Sequence, residues 1–511
     1  MRETSNIRRT TTYATTHHRA ATGRARARAT PAARRILPPM RNIQVLAAYL
    51  VAVSPLAAQS TPDRMLIGYW HNWSSPNTLH LTAIPEAYDV INIAFATPTV
   101  TNGATMQFSP YPTAYPTNQS FINDVASLQS AGKKVLISIG GANHPVIVDS
   151  AADAQAFAAS MLQLITTYGF DGLDIDLEGN SFSIQSGDTD FRNPTTPRIV
   201  HFINGLNQLL AQLPADFILS AAPETAMVQG GMSAYAGVWG AYLPVLHAFR
   251  TRFDWVHVQH YNSGTMFGRD GQIYTPGTID FHVAMADALI GGFTASSGIA
   301  FAPFEAHQIA IGLPATTTAA GSGYTAPWMV HAALDQLILG EPSASYQLAD
   351  ADGYPDFRGL MTWSINWDVL TNNSFSQPHR DYLDSVFLHV DTPTISAASG
   401  GTAAFSLTAG RKNAGRNHLL LVGFTGTEPG TPLPGGATLP LNFDALTPAA
   451  LDPALSSIFS GFVGTLDPDG EATAHLVVPP IPPLAGLPLT FAYTLDPWDF
   501  ASTSVQVTLT P

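Results

Sequence analysis

Residues 171–178 read Asp-Gly-Leu-Asp-Ile-Asp-Leu-Glu, and their alternation of acidic and apolar residues predicts a β-strand. Because successive side chains of a strand point to opposite faces, Asp174, Asp176 and Glu178 should share one face, about 6.6 Å apart at ~3.3 Å per residue. Crowded carboxylates repel one another, which raises the pKa of at least one of them. An acid that keeps its proton near neutral pH can protonate a leaving group, and Glu178, the last of the row, is the natural donor.

The alternative is a half-exposed strand whose acidic face is simply solvated. The flanking residues argue against it. An amphipathic helix is predicted before the octapeptide, with apolar residues at helical spacing from Phe157 to Tyr168, and a second helical run follows near 194–213. A strand between two helices belongs to a parallel sheet that is covered on both faces. The acidic row should therefore point into a barrel or a cleft.

Strands and helices alternate from residue 64 to about residue 388. The predicted strands are 65–70, 90–96, 134–139, 172–177, 217–222, 255–261, 308–312 and 359–364. Eight such units indicate the α/β class and a (β/α)8 TIM barrel, in which the chemistry lies at the C-terminal ends of the strands. This expectation can be checked against the positions of the other motifs.

Five further motifs lie at predicted strand ends. They are Gly-Tyr-Trp-His-Asn-Trp at 68–73, Ser-Ile-Gly-Gly at 138–141, Ala-Ala-Pro-Glu at 221–224, Gln-His-Tyr-Asn at 259–262, and Trp363. Each alone is weak, because Ser-x-Gly-Gly is usually a turn and a single Trp is more often packing. Together and in this order they form a specific pattern.

The octapeptide, S-x-G-G, A-P-E, Q-x-Y-N and the tryptophan of the eighth strand resemble glycoside hydrolase family 18. Within the family, Ala-Pro-Glu-Thr-Ala-Met-Val-Gln-Gly-Gly at 222–231 and Val-His-Val-Gln-His-Tyr-Asn at 256–262 are most similar to the bacterial chitinase D-like group. The resemblance covers roughly residues 64–388. It implies hydrolysis of β-1,4 bonds between N-acetylglucosamine units, with chitin or chitooligosaccharides as the partner.

The resemblance also implies roles for individual residues. In this family the N-acetyl oxygen of the substrate attacks the anomeric carbon, so no protein carboxylate acts as nucleophile. Glu178 would be the general acid, Asp176 would orient the acetamide, and Asp174 would share a proton with Asp176. Tyr261 would hydrogen-bond the acetamide carbonyl. The remaining implied substrate contacts are Gln259 and Asn262 in the acetamide pocket, Trp363 under the sugar ring, Tyr69 and Gly141.

Two rival functions share these motifs. An endo-β-N-acetylglucosaminidase that releases N-glycans uses the same octapeptide. A non-catalytic chitin-binding protein on an inactive barrel typically replaces the glutamate of the octapeptide, and Glu178 is present here. Only about 45 residues separate the seventh and eighth predicted strands, too few for the extra α+β insertion that walls a deep groove in some relatives. We therefore expect an open cleft and endo-type cutting.

The first 60 residues are basic, whereas the rest of the chain is acidic. They contain ten Arg, no Lys and one acid, which leaves 13 basic and 36 acidic residues, a net charge of −23. Such a body is a poor partner for nucleic acid or an anionic membrane and does not repel a neutral polysaccharide. The absence of Cys excludes thiol catalysis and Cys-based metal sites. We expect no metal and no organic cofactor.

The N-terminus has the layout of an exported protein. A short apolar run, 43–53, follows Met40-Arg41 and predicts a signal peptide over 40–59, too short to remain as a membrane anchor. Residues 1–39, rich in Arg, Ala and Thr, are predicted to be a disordered extension. A true start at Met40 and an organelle-targeting extension are the alternatives. We expect a secreted, extracellular monomer without a membrane segment in its mature form.

After about residue 390 helical periodicity disappears and Gly, Pro and Thr dominate. The pattern predicts a linker over 389–398 and a β-sandwich over 399–511, with strands at 403–407, 419–424, 473–478, 489–495 and 505–509. Trp498 and Tyr493 are its only Trp and Tyr, a small supply for a sugar-stacking surface. Carbohydrate binding, a spacer role and surface attachment all remain open for it.

Overall fold

The computed structural model of the protein describes residues 64–511, and the predicted extension (1–39) and signal peptide (40–59) lie outside them. Eight strands of one parallel sheet are numbered β1–β8 in chain order. They are Met65–His71, Val90–Pro98, Lys134–Gly140, Gly172–Asp176, Ile218–Ala221, Trp255–Gln259, Ile309–Pro314 and Gly359–Trp363. Each strand pairs with the next and β8 pairs with β1. The sheet is therefore a closed barrel, as predicted.

Helices surround the barrel. In chain order α1–α8 are Asn118–Ser130, Ala151–Tyr168, Pro197–Leu210, Leu243–Ala248, Ile279–Gly291, Pro327–Leu334, Ile365–Leu370 and Ser376–Ser385. The side chains of Thr117, Ser150 and Thr278 cap α1, α2 and α5 by accepting from the backbone N–H three residues later. The first unit differs, because β1 and β2 are connected through a three-residue 3-10 helix, Leu81–Ala83. Within residues 64–511 no helix has the length and apolar character needed to cross a membrane.

Strand side chains alternate between the barrel interior and the layer under the helices. Met65, Ile67 and Tyr69 of β1 belong to the interior cluster, together with Leu136 of β3 and Met361 of β8. On β4 the apolar residues take the opposite face and join the large core beneath the helices. The acidic residues of β4 are thereby turned into the barrel.

The chain ends in two further sheets. In chain order β9–β18 are Leu388–Val390, Thr394–Ser396, Gly401–Thr408, Asn417–Gly423, Phe459–Ser460, Val463–Thr465, Glu471–Val478, Pro488–Leu495, Phe500–Ala501 and Val505–Thr510. One sheet has the order β9-β11-β15-β13; the other has β10-β18-β16-β12-β14, with β17 beside β16. Phe405 and Phe491, one from each sheet, have ring centroids 4.6 Å apart. The all-β C-terminal domain is thus a sandwich, as predicted.

Residues 389–398 are part of this sandwich, so the prediction of a linker is wrong. Strand β9 pairs with β11, and β10 pairs in parallel with β18. Each is only three residues long, too short to show a period in the sequence. The two domains also pack on each other, since Phe387 lies 5.1 Å from Phe500 between ring centroids. Within the barrel domain, the guanidinium of Arg64 lies 3.8 Å from the Phe387 centroid and supports this ring.

Candidate active site

The acidic row lies at the C-terminal end of β4. The strand ends at Asp176, one residue before the predicted end, but the backbone stays extended through Glu178 (φ −100°, ψ 166°). Tyr242 supports this extension, because its hydroxyl accepts from the Leu177 N–H at 2.7 Å and donates to the Ile175 carbonyl at 3.2 Å. The alternation of faces therefore continues past the strand, and Glu178 keeps the direction of Asp176.

Two glycines let β3 approach this row. Gly140 (φ +100°) and Gly141 (φ +72°) both have the left-handed backbone that favours glycine. A Cβ on Gly140 would lie 2.3 Å from the Asp176 carbonyl oxygen, and one on Gly141 would lie 2.6 Å from the Phe95 ring. The Gly141 N–H donates to the Asp176 carbonyl at 2.7 Å. Gly141 thus positions the backbone of the row.

Asp174 is fully buried and accepts four hydrogen bonds. Its Oδ2 accepts from Tyr69 Oη at 2.5 Å and from Ser138 Oγ at 2.7 Å. Its Oδ1 accepts from Ser220 Oγ at 2.7 Å and lies 3.1 Å from His257 Nε2. Burial acts to raise the pKa of Asp174, but His257 and then the hydroxyl donors more than offset it and hold this pKa below its ordinary value. This carboxyl is therefore ionised.

Asp176 and Glu178 form a hydrogen-bonded pair that is joined by Gln259. Gln259 Nε2 donates to Asp176 Oδ1 at 2.9 Å, to Glu178 Oε1 at 3.1 Å and to the Ala222 carbonyl at 2.9 Å. Burial, then the charges of Glu178 and Asp174, raise the pKa of Asp176 well above its ordinary value. Burial also raises the pKa of Glu178. The pair can therefore retain a proton toward neutral pH.

The loop after β6 contains two of the predicted site residues, one of which is buried and the other exposed. Tyr261 is buried, and burial followed by the charges of Asp176 and Glu178 raises its pKa, so it is a neutral hydroxyl. Asn262 is exposed and its Oδ1 accepts from the Gly321 N–H at 2.8 Å. Asn262 thus holds the loop after β7 against the loop after β6.

Aromatic rings line the mouth of the barrel beside the carboxylates. Trp363 is half-buried and stacks on Phe95, with centroids 6.0 Å apart and planes 13° from parallel; Trp73 is also half-buried nearby. Tyr69 is 1% exposed and lies beneath this layer, 5.6 Å from the Trp363 centroid. Trp70 is buried in the core under the helices. Trp363, Trp73 and Phe95 are all partly exposed, and their rings can meet a face of a ligand.

Sequence reasoning assigned no role to His257 and Ser220, both of which contact Asp174. A signal was present: His257 is two residues before Gln259 on β6, so strand parity places both in the barrel interior. Glu224 also belongs to the site, since its charge acts to raise the pKa of Glu178 and its Oε2 accepts from the Gly179 N–H at 3.4 Å. Within residues 64–511 no cluster of His and acidic residues could hold a metal ion.

Comparisons with known proteins agree on one family. The model of glycosyl hydrolases family 18 matches residues 65–349. The chain is 52% identical over 329 residues to Chitinase D of Niallia circulans and 51% identical over 330 residues to Chitinase Chi52 of Paenibacillus xylanexedens. These matches cover 63% and 64% of this chain but only 62% of each relative. The crystal structure of a family GH18 chitinase from Chromobacterium violaceum is 35% identical, with a TM-score of 0.57 over 62% of this chain and 83% of that one.

Proposed function

The chain belongs to glycoside hydrolase family 18, and we propose that it is a secreted chitinase that hydrolyses β-1,4 bonds between N-acetylglucosamine units with retention of configuration. The catalytic domain of this proposal is residues 64–388. The observation that carries it is the pair of buried Asp176 and half-buried Glu178, joined by Gln259 at 2.9 and 3.1 Å. The names of the two bacterial relatives support the choice of chitin as substrate. Export is supported by the predicted signal peptide at 40–59.

The first step is a proton transfer coupled to ring closure. Glu178 gives its proton to the glycosidic oxygen, and the bond between C1 and that oxygen breaks with its electron pair on the departing sugar. The acetamide oxygen of the same substrate forms the new bond to C1, which makes an oxazolinium ion. Glu178, now a carboxylate, then takes a proton from water as the water oxygen bonds to C1. The bond between C1 and the acetamide oxygen breaks in the same step and returns its electron pair to the acetamide, which restores the N-acetyl group. The raised pKa of Glu178 suits both directions of this exchange.

Asp176, Tyr261 and Trp363 prepare the substrate for that step. The carboxylate of Asp176 accepts the acetamide N–H and stabilises the positive charge of the oxazolinium ion in a site sheltered from water. Tyr261, a neutral hydroxyl, donates to the acetamide oxygen and directs it toward C1. The Trp363 ring gives the sugar an apolar floor. Gln259 keeps the two carboxyls together until the substrate separates them.

We propose endo-type cutting because the connection between β7 and β8 is short. This connection holds α6 followed by one π-helical turn, Asp335–Leu339. A mouth without an additional wall on this side admits the middle of a polymer. Chitohexaose should accordingly give dimer, trimer and tetramer together from the earliest time points. Release of a single short product from the start would contradict this mode.

The test of the proposed function is hydrolysis of chitohexaose by the protein from residue 60 onward and by Glu178→Gln. We expect the substitution to lower kcat by about 10²- to 10⁴-fold, the usual contribution of a general acid. Glu471→Gln, at an exposed position of β15, is the matched control and should keep wild-type activity. Equal rates for wild type and Glu178→Gln would refute the assignment of the acid. Inactivity of the wild type on chitin, with release of glycans from high-mannose glycopeptides, would favour the N-glycan alternative.

A further inference from the structure

We propose that His257 is a positioning residue of the reaction: by donating to Asp174 it keeps that carboxylate ionised, so that the exchangeable proton of the acidic row is confined to Asp176 and Glu178. The inference rests on the proposed function and deepens it. It also changes the role of Asp174. The family resemblance implies that Asp174 shares a proton with Asp176, whereas here Asp174 stays ionised.

The contacts of Asp174 leave no position for a proton. A carboxylate offers about four lone-pair directions, and four donors occupy them here, two on each oxygen, at 2.5 to 3.1 Å. Tyr69, Ser138, Ser220 and His257 are each at most 1% exposed. Protonation of Asp174 would break at least one of these hydrogen bonds, because its donor would face a proton. Water cannot reach the buried groups to replace the lost hydrogen bond.

His257 differs from the other three donors because only it cannot simply reverse its hydrogen bond. A hydroxyl rotates and can accept from a protonated carboxyl. An imidazole with its proton on Nε2 can only donate to Asp174. To accept, His257 would have to move that proton to Nδ1, and Nδ1 is a buried atom without a hydrogen-bond partner among residues 64–511. The buried N–H would then be unpaired, which disfavours this tautomer.

The other titratable groups around Asp174 do not take up the proton. Tyr69 on β1, Tyr242 after β5 and Tyr261 after β6 all interact with the Asp174 charge. Burial first, then carboxylate charges, raise the pKa of each, so all three remain neutral hydroxyls near neutral pH. His257 donates through Nε2 whether the imidazole is neutral or protonated. Among the phenol and carboxyl groups that face Asp174, this leaves Asp176, and through it Glu178, as the holder of the proton of the acidic row.

The consequence for catalysis is that one proton is held on the Asp176–Glu178 pair and not on Asp174. The negative charge of Asp174 favours retention of one proton by the Asp176–Glu178 pair. When the acetamide N–H of the substrate becomes the partner of Asp176, the proton is left on Glu178, where the leaving oxygen needs it. If Asp174 could hold the proton instead, the same protein with the same proton count would contain an ionised and therefore inactive Glu178.

The experiment compares His257→Gln with His257→Met in the full chain. The two side chains are similar in size, but only Gln keeps an N–H donor near the position of Nε2. For His257→Met we expect kcat on chitohexaose at pH 7.5 to fall about 10- to 100-fold and the pH optimum to move about 1–2 units toward acid, with KM changed less than about twofold. The direction follows because a second proton, bound only at lower pH, restores the acid on Glu178. His257→Gln should retain the wild-type profile, with kcat within about threefold.

The outcomes separate this inference from the proposed function. A wild type that is inactive on chitohexaose refutes the function, whatever the variants do. An active wild type whose pH profile superimposes on that of His257→Met, or equal losses in the Gln and Met variants, overturns the inference alone. If His257→Met does not fold, ¹⁵N NMR of histidine-labelled wild type decides: a proton fixed on Nε2 of His257 supports the inference, and a proton on Nδ1 with Nε2 unprotonated overturns it.

Discussion

The mouth of the barrel and an apolar pocket of the β-sandwich are lined by different atoms. At the mouth, buried carboxylates of β4 are surrounded by hydroxyl, imidazole and amide donors. In the sandwich, a pocket of about 420 Å³ is lined by apolar residues such as Leu446, Ile458 and Leu476. A polysaccharide presents hydroxyl and amide groups, which lose their bonds to water without replacement in an apolar pocket. Of the two regions, the mouth of the barrel offers the groups that such a polymer needs.

The aromatic residues of the two regions also differ, in how much of each ring is exposed. Trp363 and Trp73 present partly exposed faces at the mouth. In the sandwich, Tyr493 is fully buried, and Trp498 is half-buried against a small cluster that contains Leu433 and Leu439. Binding of sugar rings by stacking requires exposed aromatic faces. Neither Tyr493 nor Trp498 therefore presents an open face to a sugar, and the most exposed aromatic ring of the sandwich is that of Phe424, at 42%.

The largest contrast should come from removing one hydrogen-bonded carboxylate in each region. Asp176→Asn should lower kcat by about 10²- to 10³-fold, because the oxazolinium ion loses its counter-charge. Asp444 of the sandwich accepts from the backbone N–H groups of Phe424 and Thr425 at 2.6 and 3.1 Å. Asp444→Asn should lower the free energy of unfolding by about 1–3 kcal/mol and leave kcat unchanged. Chitohexaose kinetics and urea unfolding measure both; a kcat effect at Asp444 would mean that the sandwich takes part in the reaction.

The next contrast concerns the two tryptophans. Trp363→Ala should reduce kcat/KM on chitohexaose about 10- to 100-fold, since the sugar loses its apolar floor and with it the alignment of C1. Trp498→Ala should change only the melting temperature. The same two variants, tested for retention on insoluble chitin with Trp498→Phe as a conservative control, check the sandwich directly. Reduced retention by Trp498→Ala at unchanged fold would support the carbohydrate-binding hypothesis.

The pH dependence of hydrolysis should follow the titration of the carboxyls at the barrel mouth, without a contribution from the sandwich. The pKa values of Asp176 and Glu178 are raised, chiefly by burial, so the pair is protonated at low pH and loses its proton only as the pH rises through those raised values. The rate should therefore fall on the alkaline side by about tenfold per pH unit, because each unit removes nine-tenths of the remaining acid. Rates of chitohexaose cleavage between pH 4 and 9 test this. A limb that falls already between pH 4 and 5, as for an exposed glutamate, would contradict the raised pKa of the acid.

The barrel and its acidic row could be predicted from sequence because both depend on local periodicity. Alternation over residues 172–177 fixes which side chains share a face, and the eight strand–helix units fix the closure. The contacts of Asp174 could not be predicted, since they join four different strands whose relative heights depend on barrel stagger. The sandwich strands at 388–390 and 394–396 were missed for a related reason: a three-residue strand is defined by its partners in the sheet and has too few residues to show a pattern.

The smallest contrast removes one hydroxyl from a fully buried tyrosine in each region. Tyr69→Phe deletes the 2.5 Å hydrogen bond to Asp174 and should lower kcat about tenfold, because a buried charge loses one of its four donors. The hydroxyl of Tyr493 has no hydrogen-bond partner among residues 64–511, so Tyr493→Phe should leave kcat unchanged and raise the free energy of unfolding by up to about 1 kcal/mol. Kinetics and urea unfolding of the two variants, side by side, test whether burial of a hydroxyl is used for chemistry in one region and merely tolerated in the other. A lower free energy of unfolding for Tyr493→Phe than for the wild type would show that the sandwich too depends on a buried polar contact.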